Sequence, residues 1–255
     1  MNVLACVKRV PATASRIALT PDEQEIDTRF LAFTVSPHEE CAVEEAVRLT
    51  GADGGTSTVL TLGPDAAVEQ LQDALALGIG RAVLLETDGR EWDPAATAGA
   101  IVEAVRADAA AGPEYDLLLF GNEAADTGDY QVGIRVARAL GLPCVTGVKA
   151  LEIEDRTAIA RRELHGGWEV FEVPLPAVVT VKEGINLPRY PSIPGRIRAK
   201  KQPIERITPD WPGNSLVKVR LKLPAEEEKH AEILGHGPEA AARVANVLTE
   251  LGLAR

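Results

Sequence analysis

Apolar positions fall in short runs that alternate with helical patterns. The runs Val3–Val7, Thr58–Leu62, Ala82–Leu85 and Leu117–Phe120 read as strands. Between them, Cys41–Leu49 sets Ala42, Ala46 and Leu49 at helical spacing, and Ala67–Leu77 repeats that period. Ala95–Val105 opens after Asp93-Pro94, a pair suited to start a helix. Val132, Val136 and Leu140 then lie four apart, with Gly141 at the expected stop and Pro143 beyond it. Strands alternating with helices in this way predict a parallel sheet with crossover helices.

A further strand is predicted near Cys144. Thr157–Leu164 and Val170–Val173 flank His165-Gly166-Gly167, a hairpin signal, and Pro176–Val181 reads as a buried strand. After Lys182 the character changes. Prolines recur from Pro188 to Pro212, and GRIRAKK concentrates basic charge, so an extended arm is expected and not a compact second domain. Order returns at Pro238–Leu251, a helix with Ala242, Ala245 and Leu248 on one stripe and a stop at Gly252. The expected architecture is α/β: a doubly wound, mostly parallel sheet with a hairpin insertion and an extended C-terminal arm. The expected divisions are 1–184, 185–201 and 202–255.

Composition narrows the partners. A chain of 255 residues suffices for one α/β domain with a long extension. Its net charge of −11 opposes a nucleic-acid or anionic-membrane surface, since both need a broad cationic face. Cys6, Cys41 and Cys144 are widely spaced and form no Cys-x-x-Cys pair, which fits a reducing compartment. MNVLACVKRVP lacks the long apolar core of a signal peptide, and no apolar window is long enough to span a membrane. A cytoplasmic location is expected, with no direct membrane insertion.

Two stretches carry candidate chemistry. Ser36-Pro37-His38-Glu39 has a capping serine, a proline at the first helical position and an acid three residues after the cap. Such a helix start is expected to turn free N–H groups toward the crevice at the carboxyl edge of the sheet. The second stretch is Leu117–Gly133, LLLFGNEAADTGDYQVG. Gly121 permits close backbone approach, and Asp126 or Thr127 is expected to cap the helix that follows. Helix-start amides bind phosphate without lysine or arginine, and a carboxylate can accept from ribose hydroxyls. An acidic loop of this kind suits a monophosphate or a shielded pyrophosphate over a triphosphate with metal.

Hydrolytic machinery is missing. The chain has no Walker phosphate cradle, no G-x-G-x-x-G after the first strand, no G-x-S-x-G elbow and no H-E-x-x-H. His38, His165, His230 and His236 are scattered without ligand-like spacing, so no catalytic or metal residue is assigned. The nucleotide is expected to be held and not consumed.

With these residues in view, the chain resembles the small (beta) subunit of electron-transfer flavoprotein. The matching pieces run in order: VLACVKRVP, SP…AVEEAVRL, TLGPDAA…ALALGIGRAV, GNEAADTGDYQVG, RRELHGG, LPAVVTV and GINLPRYPSIPGRIRAKKQPI. The resemblance implies an adenine-nucleotide-binding-like domain holding a structural AMP. It also implies a large (alpha) subunit that holds most of the redox FAD. Partner flavin dehydrogenases, such as those for acyl-CoA, would deliver electrons, and a membrane quinone oxidoreductase would receive them.

Carried over residue by residue, the implied nucleotide contacts are Ala5, Ser36, Pro37, His38, Glu39, Leu62, Gly121, Asp126, Thr127, Gly128, Asp129, Tyr130, Gln131 and Val132. Ser36 stands where the family usually has asparagine, and Tyr130 where it has smaller or amide residues. Thr13 and Glu163 match positions near the mobile flavin domain. Leu187, Pro188, Arg189, Tyr190, Ile193, Lys200 and Lys201 match a loop that docks on dehydrogenases, Ile193 being its apolar anchor. Leu187 replaces a usual glutamate, and Arg196-Ile197-Arg198 a usual Ile-Met-Lys.

Two alternatives to the carrier stay open. Gln131-Val132-Gly133 also resembles bifurcating relatives, in which a second FAD replaces AMP and oxidises NADH. A stand-alone nucleotide-binding stress protein of similar fold is the more distant one.

Overall fold

Strands form where the apolar runs end in turn residues, and they assemble into one sheet because helices cover both of its faces. In the computed structural model, which describes residues 1–12, 17–224 and 232–254, the chain divides into two compact units, Met1–Val219 and Arg220–Arg255. The first unit carries strands β1 (Asn2–Val7), β2 (Val10–Pro11), β3 (Phe33–Thr34), β4 (Thr56–Gly63), β5 (Arg81–Glu86) and β6 (Leu117–Gly121). It continues with β7 (Cys144–Glu154), β8 (Thr157–Leu164), β9 (Gly167–Pro174), β10 (Ala177–Val181) and β11 (Glu205–Ile207). Its helices are α1 (Pro37–Asp53), α2 (Val68–Leu77), α3 (Pro94–Ala111), α4 (Val132–Leu140) and α5 (Ile193–Ala199).

The large sheet has the order β11-β5-β4-β1-β6-β10-β7-β8-β9. All neighbours from β11 to β7 run parallel, while β8 and β9 extend it as an antiparallel hairpin. Alternation along each central strand feeds two cores. Ala5, Val59, Leu119 and Val179 pack beneath α1, α2 and Ala199 of α5. Leu4, Cys6, Leu60, Leu118 and Val178 pack beneath α3 and α4. From β1 the chain winds one way through β4 and β5, then crosses to β6 on the other side. The order of winding therefore reverses between β1 and β6, where open parallel sheets form a crevice beyond their carboxyl ends.

Beyond Lys182 the chain is more structured than its prolines suggest. Ser192 caps α5 through a bond from the Gly195 N–H (3.1 Å), with Pro194 in the first turn. Gly195 is needed because a Cβ there would sit 2.6 Å from the Ala76 carbonyl oxygen. Asn186 donates to the Cys41 carbonyl, and Arg189 grips the buried Glu44 carboxylate (2.7 Å), which pins this segment to α1. Then β11 adds to the edge of β5. A seven-residue helix and a three-residue strand are too short for periodicity to signal, and tertiary contacts create them.

Asp93 joins two elements. Its carboxylate caps α3 through the Ala96 N–H (2.8 Å) and accepts from the Ser215 N–H (2.6 Å), the Ser215 hydroxyl (2.7 Å) and the Leu216 N–H (3.2 Å). Burial alone raises its pKa, but these bonds outweigh it and hold the carboxyl at about 2. Asp93→Ala is expected to cost about 1–2 kcal/mol through the lost cap. It is also expected to speed hydrogen exchange at residues 214–216. Thermal unfolding and exchange of the purified chain measure both effects.

Candidate functional site

Three chain segments meet at the crevice between β1 and β6: the end of β1, the start of α1, and the loop from β6 to α4. At the start of α1 the capping box is complete, with the Glu39 N–H donating to Ser36 Oγ and the Ser36 N–H to the Glu39 carboxylate, each at 3.3 Å. The end of β6 comes so close that a Cβ on Gly121 would lie 2.6 Å from Glu39 Cγ and 3.3 Å from His38 Cβ. Only glycine lets the β6 backbone reach the crevice here. Burial pushes the Glu39 carboxyl up to about 7, against the opposing hydrogen bonds from Lys8 and Ser36. Beneath it, burial raises the Cys6 thiol far above its ordinary range, and the Glu39 charge adds to the effect.

The start of α1 is less open than expected. Its box consumes the Glu39 amide and proline brings none, while the Glu40 N–H makes the first helical bond to the Ser36 carbonyl (2.9 Å), which leaves the His38 amide without an intrahelical acceptor. The more open helix start is that of α4. Gln131 caps it without a side-chain bond, because its amide oxygen accepts from Arg135 instead (2.9 Å). The first helical bond runs from the Arg135 N–H to the Gln131 carbonyl, so the amides of Val132, Gly133 and Ile134 have no intrahelical acceptor.

Neither Asp126 nor Thr127 caps α4. Asp126 is drawn to Lys8 at the end of β1 (2.8 Å) and accepts from the Thr127 N–H (2.9 Å). The loop turns on itself through the Ala124 N–H to the Asp129 carbonyl (3.0 Å) and the Gly128 N–H to the Ala124 carbonyl (2.8 Å). Gly128 takes φ 66, a left-handed conformation that glycine adopts without steric cost. The helix therefore begins only at Val132.

The acids of the loop are largely compensated. Glu123 accepts from the Tyr130 hydroxyl and lies 3.5 Å from His38 Nε2, while His38 Nδ1 accepts from the Glu183 N–H (3.0 Å). Glu123 in turn raises the Tyr130 phenol. Asp129 is half-buried.

Beside this crevice lies a cavity of about 230 Å³, lined by Asn122, Tyr130, Ile134, Gly147, Arg162 and Lys182 among others. The sequence reading missed several of these residues. Asn122 accepts from the Thr180 hydroxyl (2.9 Å), which itself accepts from the Gly147 N–H (3.1 Å). Arg162 donates to Glu169 (2.6 Å) and lies over the Phe171 ring. The one available signal was adjacency, Asn122 beside Gly121 and Arg162 beside Glu163.

The remaining expected residues are dispersed. Ala5 is fully buried in the middle of β1, two residues short of the crevice, and Leu62 is half-buried near the end of β4. Glu163 is exposed on β8 and lies 3.9 Å from Lys149. Thr13 and His230 lie outside the described residues. Leu187, Tyr190 and Ile193 are 92%, 95% and 77% exposed, and Lys200 and Lys201 are exposed beside them. Pro188 is half-buried, and the Arg189 guanidinium is engaged by Glu44 on α1. Among the described residues no group of His, Cys, Asp and Glu could hold a metal ion, and no helix is long and apolar enough to cross a membrane.

The site can do specific things chemically. It offers open helix-start amides, a backbone brought close by glycine, and carboxylates already paired.

Comparison with known proteins gives a consistent family. The sequence profile described as "Electron transfer flavoprotein domain" matches residues 28–211. The chain is 36% identical over 212 residues to "Electron transfer flavoprotein subunit beta" of Bacillus subtilis, covering 82% of this chain and 80% of that protein. It is 33% identical over 211 residues to the mitochondrial beta subunit of Oryza sativa subsp. indica, covering 82% and 83%. It is also 35% identical over 209 residues to "Caffeyl-CoA reductase-Etf complex subunit CarD" of Acetobacterium woodii, covering 80% and 77%.

Proposed function

Since the chain belongs to the electron transfer flavoprotein family, among its beta subunits, we propose that it is the small subunit of a heterodimeric electron carrier and holds a structural AMP. The observation that carries the nucleotide assignment is the open start of α4, whose first amides lack an intrahelical acceptor, following the end of β6, where Gly121 leaves no room for a side chain. The amides of Val132 and Gly133 would take the phosphate, aided by the helix dipole. Charge repulsion is limited, because Lys8 pairs with Asp126, Tyr130 and His38 hold Glu123, and burial favours the protonated form of Glu39 near neutral pH. Asp129 is the loop carboxylate left for a ribose hydroxyl.

The redox chemistry comes from a flavin on the large subunit. This chain's own task is placement. Of its segment 202–255, the part beyond β11 and the Asp93 contacts wraps the large subunit, and residues 185–201 dock on a flavin dehydrogenase such as one acting on acyl-CoA. A membrane quinone oxidoreductase takes the electrons onward. On the docking surface Ile193 and Ile197 lie one turn apart on α5, both exposed, beside Tyr190. Anchors held by a docked helix lose little entropy when they bind.

The second reading is a subunit carrying a second FAD in place of AMP, with NADH as donor. Gln131-Val132-Gly133 at the open helix start favours it, and so does the additional cavity beside Tyr130.

Stopped-flow reduction of the heterodimer's flavin by an acyl-CoA-reduced dehydrogenase tests the docking role. Ile193→Asp is expected to lower the second-order rate constant roughly thirtyfold, the loss of about 2 kcal/mol typical of an interface anchor. Heterodimer assembly and flavin content should stay unchanged. An unaltered rate constant would remove Ile193 from the docking surface.

A further inference from the structure

Four neighbouring strands of the large sheet contribute to the cavity beside Tyr130. Asn122 follows β6, Lys182 follows β10, Gly147 lies on β7 and Arg162 on β8. Three side chains converge on Gly147. A Cβ built there would lie 3.4 Å from Arg162 Cδ, 3.7 Å from Asn122 Oδ1 and 3.7 Å from Lys182 Cε. Gly147 takes φ 71, and its missing Cβ keeps the space between the three side chains open.

Hydrogen bonding sets the polarity of that space. The Thr180 hydroxyl accepts from the Gly147 N–H (3.1 Å) and gives its own hydrogen to Asn122 Oδ1 (2.9 Å). The Asn122 NH₂ group is then a donor with no acceptor among the described residues, on a side chain that is only 9% exposed. Buried donors need a partner. The Lys182 ammonium has no ion pair and no hydrogen bond among the described residues either. Arg162 gives two of its nitrogens to Glu169 (2.8 and 2.6 Å) and turns the third toward Thr146 (3.4 Å). Among the described residues no carboxylate lines this cavity. Glu163 borders the adjoining one and lies 3.9 Å from Lys149. A hollow of donors and cations in a chain of net charge −11 suits a small anion, which makes its strongest hydrogen bonds to such groups.

We propose that this cavity is a phosphate subsite, where Asn122 and Lys182 hold a phosphate group and Arg162 forms one wall. Ile134 lines the same cavity, and its N–H is the third open amide of α4. The group is therefore either inorganic phosphate or the second phosphate of a nucleotide whose first lies on the α4 amides. The assignment stands on this chain's own residues and depends on neither the heterodimer nor the AMP reading.

Titration calorimetry on the full chain, freed of nucleotide, tests it with inorganic phosphate, AMP and ADP as probes. Saturable phosphate binding in the presence of AMP assigns a free ion. ADP binding at least about tenfold tighter than AMP assigns the attached phosphate. In either case Lys182→Gln is expected to remove at least about tenfold of that affinity, and Lys182→Arg to stay within about threefold of wild type. Asn122→Asp keeps the acceptor for Thr180 but replaces the donor with a charge, and should abolish the binding. Phosphate held equally by wild type, Lys182→Gln and Asn122→Asp is an adventitious ion only and overturns the subsite. So does an ADP affinity equal to that of AMP with no phosphate binding. Phosphate bound as expected by a chain that takes no AMP would leave the subsite standing and overturn the AMP reading alone.

Discussion

Deleting residues 220–255 is expected to weaken association with the large subunit at least a hundredfold, about 2.7 kcal/mol, and to leave the unfolding of residues 1–219 nearly unchanged. Both cores are built from residues no later than Ala199 with half-buried neighbours up to Ile207, so neither includes a described residue of the deleted unit. None of its described residues is buried. Its helix α6 (Ala241–Glu250) leaves Val244 and Leu248 40% and 39% exposed, and Leu251 and Leu253 beyond it 66% and 73%. A ten-residue amphipathic helix with its apolar face uncovered is marginal in water. Burying each such side chain on a partner contributes roughly 1.5–3 kcal/mol before ordering costs. Sedimentation of the truncated chain with the large subunit, beside thermal unfolding of each, gives both quantities. Wild-type association by the truncated chain would refute the wrapping role.

The second large effect concerns Glu39. Its folded-state pKa of about 7 stands above the ordinary 4.5, so the folded protein keeps a proton that the unfolded chain releases between those values. Below pH 4.5 both states are protonated and Glu39 adds no pH dependence. As pH rises from there to 7, stability falls, and above 7 the loss levels off. At 1.36 kcal/mol per pKa unit the full loss is about 3 kcal/mol. Glu39→Gln keeps the shape and can still accept from the Ser36 N–H, but it carries no charge. It is expected to raise stability at pH 8 by up to about 3 kcal/mol and to flatten the profile between pH 5 and 8. Urea unfolding across that range measures it. A parallel profile for the two proteins would mean that Glu39 does not titrate as burial dictates.

Much of the fold was legible because its signals are local. Ser36-Pro37-x-Glu39 dictated the start of α1, and Gly141 the end of α4, which stops there at φ 71. The apolar runs at Val3, Thr58, Ala82 and Leu117 became β1, β4, β5 and β6 because buried parallel strands need apolar residues on both faces. Short elements were hidden. The helix at Ile193–Ala199 depends on the fit of Gly195 against Ala76, and β11 on the exposed edge of β5, contacts that no local pattern encodes.

The site was legible in outline and wrong in part of its detail. Gly121 and the acidic loop stand at the crevice, but which helix start stays open depended on where side chains turn. Glu39 folds back onto Ser36 and takes up one amide of the α1 start, while Asp126 goes to Lys8 and leaves α4 uncapped. The partner of an acid 118 residues away in sequence cannot be read from spacing. Asn122, Thr180 and Gly147 escaped notice for the same reason, being joined only across strands.

The central claim is that the crevice between β1 and β6 holds one adenylate that takes no part in the redox step. Releasing every bound nucleotide from the co-purified heterodimer by denaturation, and counting each by chromatography and mass, tests it most directly. One AMP and one FAD per heterodimer is the expected result, with the AMP undiminished after many cycles of reduction and oxidation. Two FADs and no AMP, or a heterodimer that carries electrons with no adenylate bound, would contradict it.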